Sequence, residues 1–232
     1  NARMNLLAIE TSTECCSVAL ACGDEVVVRS EVAPRRHAEL LLPMCDAVLA
    51  EAGLSRRQLD AIAVGRGPGA FTGVRLAISA AQGIALALDL PVVPVSSLAA
   101  LAQDAPAESR YILAVIDARM GEIYSGVFRR NDGLPLEALG PEVVGTAERL
   151  VLPMQTSWTV VGTGWASYAP MLRPRLGCEP LFADGARYPQ AAAVARLALR
   201  ELASGQGVPA EQALPVYLRD KVALTTAERQ QA

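Results

Sequence analysis

Two stretches of this 232-residue chain are built alike, and that repeat limits the folds open to it. Asn5 to Glu10 is a short apolar run ending in an acid; a small polar turn follows, and Ser17 to Leu20 resumes the apolar pattern. Ile112 to Asp117 is again an apolar run ending in an acid, Ala118-Arg119-Met120-Gly121-Glu122 makes the turn, and Ile123 to Phe128 returns. Each reads as strand, acid, tight turn, strand. Repetition of one supersecondary unit predicts two related lobes. The first is expected over 4–104 and the second over 105–204, with a boundary at Ala105 to Ser109 and with the tail, about 205–232, completing the first lobe.

The segments between the hairpins carry clear periods. Val26 to Val28 adds a third strand to the first meander. His37 to Ala52 has Leu40, Leu41, Met44, Val48 and Leu49 at helical spacing, opposed by Glu39, Asp46 and Glu51, and stops at Gly53. Pro43 is its one irregular residue, since proline suits a first turn better than a helix interior. Leu59 to Val64 reads as a strand, Gly65 to Gly73 as a glycine-rich loop, and Val74 to Leu88 as a helix. Strand, loop and helix in that order gather free N–H groups at the helix start, the layout of an anion cradle. Leu90 to Val95 is a further strand, and Ser96-Ser97 cap a short helix through Ala102. Thr159 to Val161 reads as a strand running into Gly162-Thr163-Gly164-Trp165, Gln190 to Ala203 as an amphipathic helix, and Pro215 to Arg219 as an extended tail.

Residue counts exclude several chemistries. With 52% hydrophobic residues, 19% charged and a net charge of −3, the chain is neither disordered nor histone-like. Aromatic residues at 4% leave few stacking platforms for bases, so nucleic-acid binding by this chain alone is disfavoured, although Arg35-Arg36 and Arg56-Arg57 could help a complex. The one lysine, Lys221, lies between Asp220 and Val222, which rules out a Walker A loop. The one histidine, His37, cannot supply an HExxH or HxxxH metal pair and leaves only a formal serine-triad role. Five cysteines (Cys15, Cys16, Cys22, Cys45, Cys178) form an odd set without CxxC spacing, expected as reduced thiols of a cytosolic protein. Asn1-Ala2 reads as a tag scar, and the apolar stretch from Leu76 to Ala102, broken by Gln82, Asp89, Pro91 and Pro94, does not read as a membrane span.

Glu10-Thr11-Ser12-Thr13 could hold a phosphate or a metal-bound water. The plainer reading is a hairpin turn whose hydroxyls satisfy their own backbone, because no glycine occurs between Glu10 and Gly23. Thr11, Ser12, Gly67, Gly69, Thr72 and Gly73 form a weak nucleotide or anion site. Without a lysine or a second nearby acid, the loop cannot carry out phosphoryl transfer. In the following helix Arg75, Ser79 and Gln82 make one narrow polar stripe and the rest is small or apolar, so cover is expected on two sides: its own sheet, and either a partner helix or more of its own core. His37 reads as a surface or capping residue and Asp117-Ala118-Arg119 as a turn salt bridge. Neither a catalytic residue nor a metal ligand is expected.

Five blocks together resemble the bacterial TsaB (YeaZ) family. They are Ala8-Ile9-Glu10-Thr11-Ser12 with Ser17-Val18-Ala19-Leu20, Gly65-Arg66-Gly67-Pro68-Gly69-Ala70-Phe71-Thr72-Gly73-Val74-Arg75, Ile116 to Glu122, Val161-Gly162-Thr163-Gly164-Trp165 and Pro215-Val216-Tyr217-Leu218-Arg219. The resemblance implies an α/β, actin/Hsp70-like (ASKHA) fold of two related lobes, each with a mixed sheet flanked by helices. It also implies a non-catalytic partner of the paralogue TsaD and the ATPase TsaE in forming threonylcarbamoyladenosine at position 37 of tRNAs. TsaD-type members carry an HxxxH metal motif, whereas His37-Ala38-Glu39-Leu40-Leu41 lacks the second histidine. In this family the first two long helices form the partner surface, which assigns Leu40, Leu41, Met44, Val48, Arg75, Ala77, Ile78, Ala81, Gln82 and Ala85 to it. The same surface is expected to form a homodimer when TsaD is absent. ATP or ADP is then used by the complex with no cofactor on this chain, tRNA is reached indirectly, no membrane is involved and the site of action is the cytoplasm. The rivals are an autonomous ATPase or sugar-kinase relative using Glu10, Asp117 and the glycine loop, and a peptidase with His37 as base.

Overall fold

The structure is a computed structural model that describes residues 4–131 and 133–219. In the first lobe β1 (Asn5–Glu10), β2 (Cys15–Cys22) and β3 (Glu25–Val32) form an antiparallel meander. Then come α1 (His37–Glu51), β4 (Ala61–Gly65), α2 (Phe71–Leu88), β5 (Val92–Val95) and α3 (Ser97–Gln103). β4 joins β1 in parallel and β5 joins β4, giving the order β3-β2-β1-β4-β5.

The second lobe repeats this plan. β6 (Tyr111–Arg119) and β7 (Glu122–Arg129) are the hairpin, and β7 also pairs with β8 (Glu137–Ala138) and β9 (Val143–Gly145). β10 (Thr159–Val161) lies parallel to β6, α4 (Thr163–Leu176) follows, β11 (Phe182–Asp184) lies parallel to β10, and α5 (Ala191–Ala203) closes the series. In each lobe the hairpin's first strand is central, antiparallel to its successor and parallel to the strand on its other side. The repeat seen in the sequence is a repeat of topology.

Alternation along the strands sets the layers. Leu7, Ile9, Val18 and Leu20 face α1 and α2, while Leu6, Ala8, Ala19 and Ala21 face α5. That second face is small, with Ala61 and Ala63 also on it, and it meets Ala191, Ala195 and Ala198, so helix and sheet approach closely. On the second sheet Ile112, Ala114 and Ile116 pack on Leu98 and Leu101 of α3, and Leu113, Val115 and Trp158 pack toward α4.

Three boundaries move. α5, expected in the second lobe, packs on the first sheet, because its alanine stripe fits that sheet's alanine face; periodicity shows that a helix is amphipathic and not which sheet it covers. α2 begins at Phe71, so Thr72 and Gly73 belong to its first turn and not to the loop. α4 starts at Thr163, where no helix was expected; Pro170 and Pro174 hide it in the sequence, and its backbone is kinked at Tyr168. Pro43 does sit inside α1, on the solvent side, where water can bond the carbonyl it leaves free. Past α5 the chain returns along the first lobe, with Val208 bridging Val92 and with Ala210 and Ala213 buried. Lys221 and the rest of the tail from 220 to 232 lie outside the described residues.

Candidate functional site

The turn after β1 is held by its own acid. Glu10 is fully buried, its Oε1 accepts from Ser12 N at 2.6 Å and its Oε2 accepts from Ser97 Oγ at 2.8 Å. Burial pushes its carboxyl above the usual carboxylate range, against the opposing pull of the Ser12 and Ser97 bonds. Thr11 Oγ1 donates to Gly73 O at 2.7 Å, and Ala70 N donates to Ser12 O at 2.7 Å, so turn and glycine loop lie backbone to backbone. A Cβ on Gly73 would stand 2.1 Å from Thr11 O, and one on Gly69 2.3 Å from Ser12 O. These glycines permit close packing within the chain. Thr11, Gly69 and Gly73 are therefore spent on that contact, and of the proposed anion-site residues only Thr72 is exposed.

The hydroxyls depart from expectation. Thr11 reaches across to α2 and not to its own turn, while Ser12 Oγ and Thr13 Oγ1 are buried and without a hydrogen-bond partner among the described residues. Both residues line a cleft of about 280 Å³ between the lobes, together with Gly69, Phe71, Asp117, Arg119 and the tail residues Val216 to Arg219. An orphaned buried hydroxyl costs about 1–3 kcal/mol, so a ligand or water atom reaching it would be stabilised there. Nothing in the sequence distinguishes Ser12 from the partnered Thr11.

The second hairpin copies the first. Asp117 Oδ1 accepts from Arg119 N at 2.8 Å, the same acid-to-second-residue bond as Glu10 to Ser12. The expected Asp117–Arg119 ion pair is long, 3.6 Å, and Arg119 also reaches Glu14 of the first lobe at 2.6 Å. The N–H groups of a tight turn are what cradles a phosphate. In each lobe one such group is occupied by the chain's own carboxylate. His37 neither caps α1 nor faces the cleft as a free base: its Nε2 lies 2.8 Å from Thr13 O and donates to that carbonyl.

On the opposite side α1 and α2 lie next to each other on the first sheet. Of the residues expected at a partner surface, Leu41, Val48, Ala77, Ile78, Ala81 and Ala85 are between 0% and 4% exposed. They face inward onto the sheet and cannot meet a partner without unfolding. Leu40, Met44 and Gln82 are half-buried, and Arg75 is exposed. The outer face of α2 consists instead of Arg75, Ser79, Gly83, Leu86 and Ala87, with Leu42 exposed on α1. Continuing the Arg75-Ser79-Gln82 stripe by one more turn of 3.6 residues would have found Gly83 and Leu86. By length and composition α2 could cross a membrane, but its inner face is packed on the sheet.

A family model described as TsaD, tRNA N6-adenosine threonylcarbamoyltransferase, matches residues 27–224. The tRNA threonylcarbamoyladenosine biosynthesis protein TsaB of Escherichia coli is 42% identical over 95% of this chain and 96% of its own length. The protein of that description from Haemophilus influenzae is 38% identical over 94% and 95%. A Pseudomonas aeruginosa crystal structure described as similar to peptidase YEAZ superposes with a TM-score of 0.87 at 46% identity, covering 93% of this chain and all of that one. Together with the two mixed sheets and their flanking helices, these likenesses make the fold actin/Hsp70-like. The chain belongs to the TsaB (YeaZ) family, within the wider group of TsaD-like proteins.

Proposed function

We propose that this chain is a non-catalytic partner subunit, docking a TsaD-type paralogue through the outer faces of α1 and α2 and supporting formation of threonylcarbamoyladenosine at position 37 of tRNAs. The relatives' role in that biosynthesis supports the pathway. The observation that carries the silent, supporting role is the pair of turns closed by Glu10 and Asp117, which leaves each lobe's turn amide engaged by the chain itself. The outer face of α2, small at Ser79, Gly83 and Ala87 and apolar at Leu86, suits close approach of another helix. In this reading ATP or ADP is used by the assembly, which includes a TsaE-type ATPase; tRNA meets the assembly and not this chain alone; and the free chain forms a homodimer over the same face, in the cytoplasm.

The test is co-purification with a TsaD-type partner and a threonylcarbamoyl-transfer assay with and without this chain. A stable complex and transfer that depends on this chain are expected, and both should be lost in Gly83→Arg with the fold intact. Equal transfer without the chain, or Mg-ATP turnover by the isolated chain, overturns the reading. The peptidase description of one structural neighbour favours a second reading. His37 would have to be its base, so peptidase activity that survives His37→Ala removes that mechanism.

A further inference from the structure

The C-terminal segment crosses from one lobe to the other over the mouth of the cleft. Ala213 is still in the first lobe's core. Val216 N then donates to Arg66 O at 2.9 Å, tying the segment to the glycine loop. Tyr217 packs on Phe71 with ring centroids 5.5 Å apart, and its hydroxyl accepts from Arg75 Nε at 2.7 Å. The Arg75 guanidinium lies 3.6 Å from the Phe71 ring centroid, so three side chains from α2 and the tail form one stack. Beyond it Arg219 reaches the second lobe, where it donates to Ala118 O at 3.1 Å and pairs with Glu122.

Ala118 and Glu122 flank the β6–β7 turn, in which Arg119 and Met120 have φ of 63° and 57°. Such backbone is strained for residues with a Cβ and persists where neighbours hold it. The Arg219 side chain is only 17% exposed, so its charge-assisted bonds count for more than the parallel Arg119–Glu14 pair, whose arginine is 70% exposed.

We infer that Pro215 to Arg219 is a strap that ties the first turn of α2 to the β6–β7 turn of the second lobe, so that a change at Phe71 or Arg75 is transmitted across the cleft. Because Arg75 stands at the proposed docking face, a partner seated there acts on the second lobe; that consequence rests on the docking proposal, whereas the strap itself does not.

Hydrogen exchange of the isolated full chain tests it, read at the amides of 118–122. Arg219→Ala and Tyr217→Ala should each speed exchange there about tenfold, the loss of a charge-assisted or stacked contact holding a local structure. Phe71→Ala should speed it as well, but add nothing in the Tyr217→Ala background. The reversed pair Arg219→Glu with Glu122→Arg, which restores the ion pair but not the bond to Ala118 O, should recover part of the slow exchange, which a chain that had merely lost its fold would not. Unchanged exchange in Arg219→Ala and Tyr217→Ala, or additive effects of Phe71→Ala and Tyr217→Ala, overturns the strap. Partner docking is measured separately: a normal exchange response without docking removes the docking face alone, and docking without the response removes the strap alone.

Discussion

Glu10 is wholly buried, and its surroundings favour the protonated form. Its carboxyl is raised in the fold, so above the usual carboxylate range the unfolded chain has released a proton that the folded chain still binds. Stability then falls as pH rises through that window. Glu10→Gln keeps an acceptor for Ser12 N, turns an amide N–H toward Ser97 Oγ in place of the accepting Oε2, and carries no proton to lose. Its unfolding midpoint should match the parent's at low pH, exceed it once the pH passes above the usual carboxylate range, and fall less as the pH rises further. Parallel pH profiles for the two chains would contradict this. Glycine supplies a second contrast. Gly73→Ala drives a Cβ into Thr11 O and should cost about 2–3 kcal/mol. Gly83→Ala meets nothing within 4 Å and should stabilise by about 0.5–1 kcal/mol through helix propensity. Denaturant unfolding of both reads the opposite signs. The hairpin turn was legible in the sequence, because the missing glycine between Glu10 and Gly23 has direct steric meaning; the glycine loop read as an anion cradle, and its close packing on Thr11 and Ser12 was not legible. That Glu10 bonds Ser97, 87 residues away, was not, since only the folded sheet brings them together.

α2 separates what a helical pattern reveals from what it leaves open. Its apolar circumference implied cover on two sides, and the polar stripe fixed the helix phase correctly. Four of the six α2 residues assigned to the partner face, Ala77, Ile78, Ala81 and Ala85, nevertheless pack inward, since small apolar side chains look alike on either face of a helix. The correction changes which variant probes which surface. Ala81 is fully buried, so Ala81→Glu forces a charge into the core and should unfold the chain outright. Gly83→Glu sits in open space: its unfolding free energy should stay at or above the parent's, while the proposed self-association over this face, measured by sedimentation, should weaken at least about tenfold as like charges are brought together. A dimer undisturbed by Gly83→Glu would move the self-association surface elsewhere on the molecule.

The two-lobe plan was visible because each lobe restates the same strand, acid, turn and strand. Its chain boundaries were not visible, because the molecule exchanges pieces between its halves. α5 comes after the second sheet yet covers Leu6, Ala8, Ala19, Ala21, Ala61 and Ala63 of the first, and α3 follows β5 yet packs on the second sheet. Residues 4–104 alone would therefore expose one whole face of the first sheet to water and leave α3 without its cover. That fragment should show no cooperative thermal transition and should bind dyes for exposed apolar surface. Adding a peptide of residues 187–219, which restores α5 and the returning segment, should recover a cooperative transition, because the missing face is small, regular and already shaped to receive an alanine stripe. The full chain should unfold in one step with equal calorimetric and van't Hoff enthalpies. Two separated transitions, or a fragment 4–104 that melts cooperatively by itself, would mean that the lobes are independent and that α5 covers a surface already stable without it.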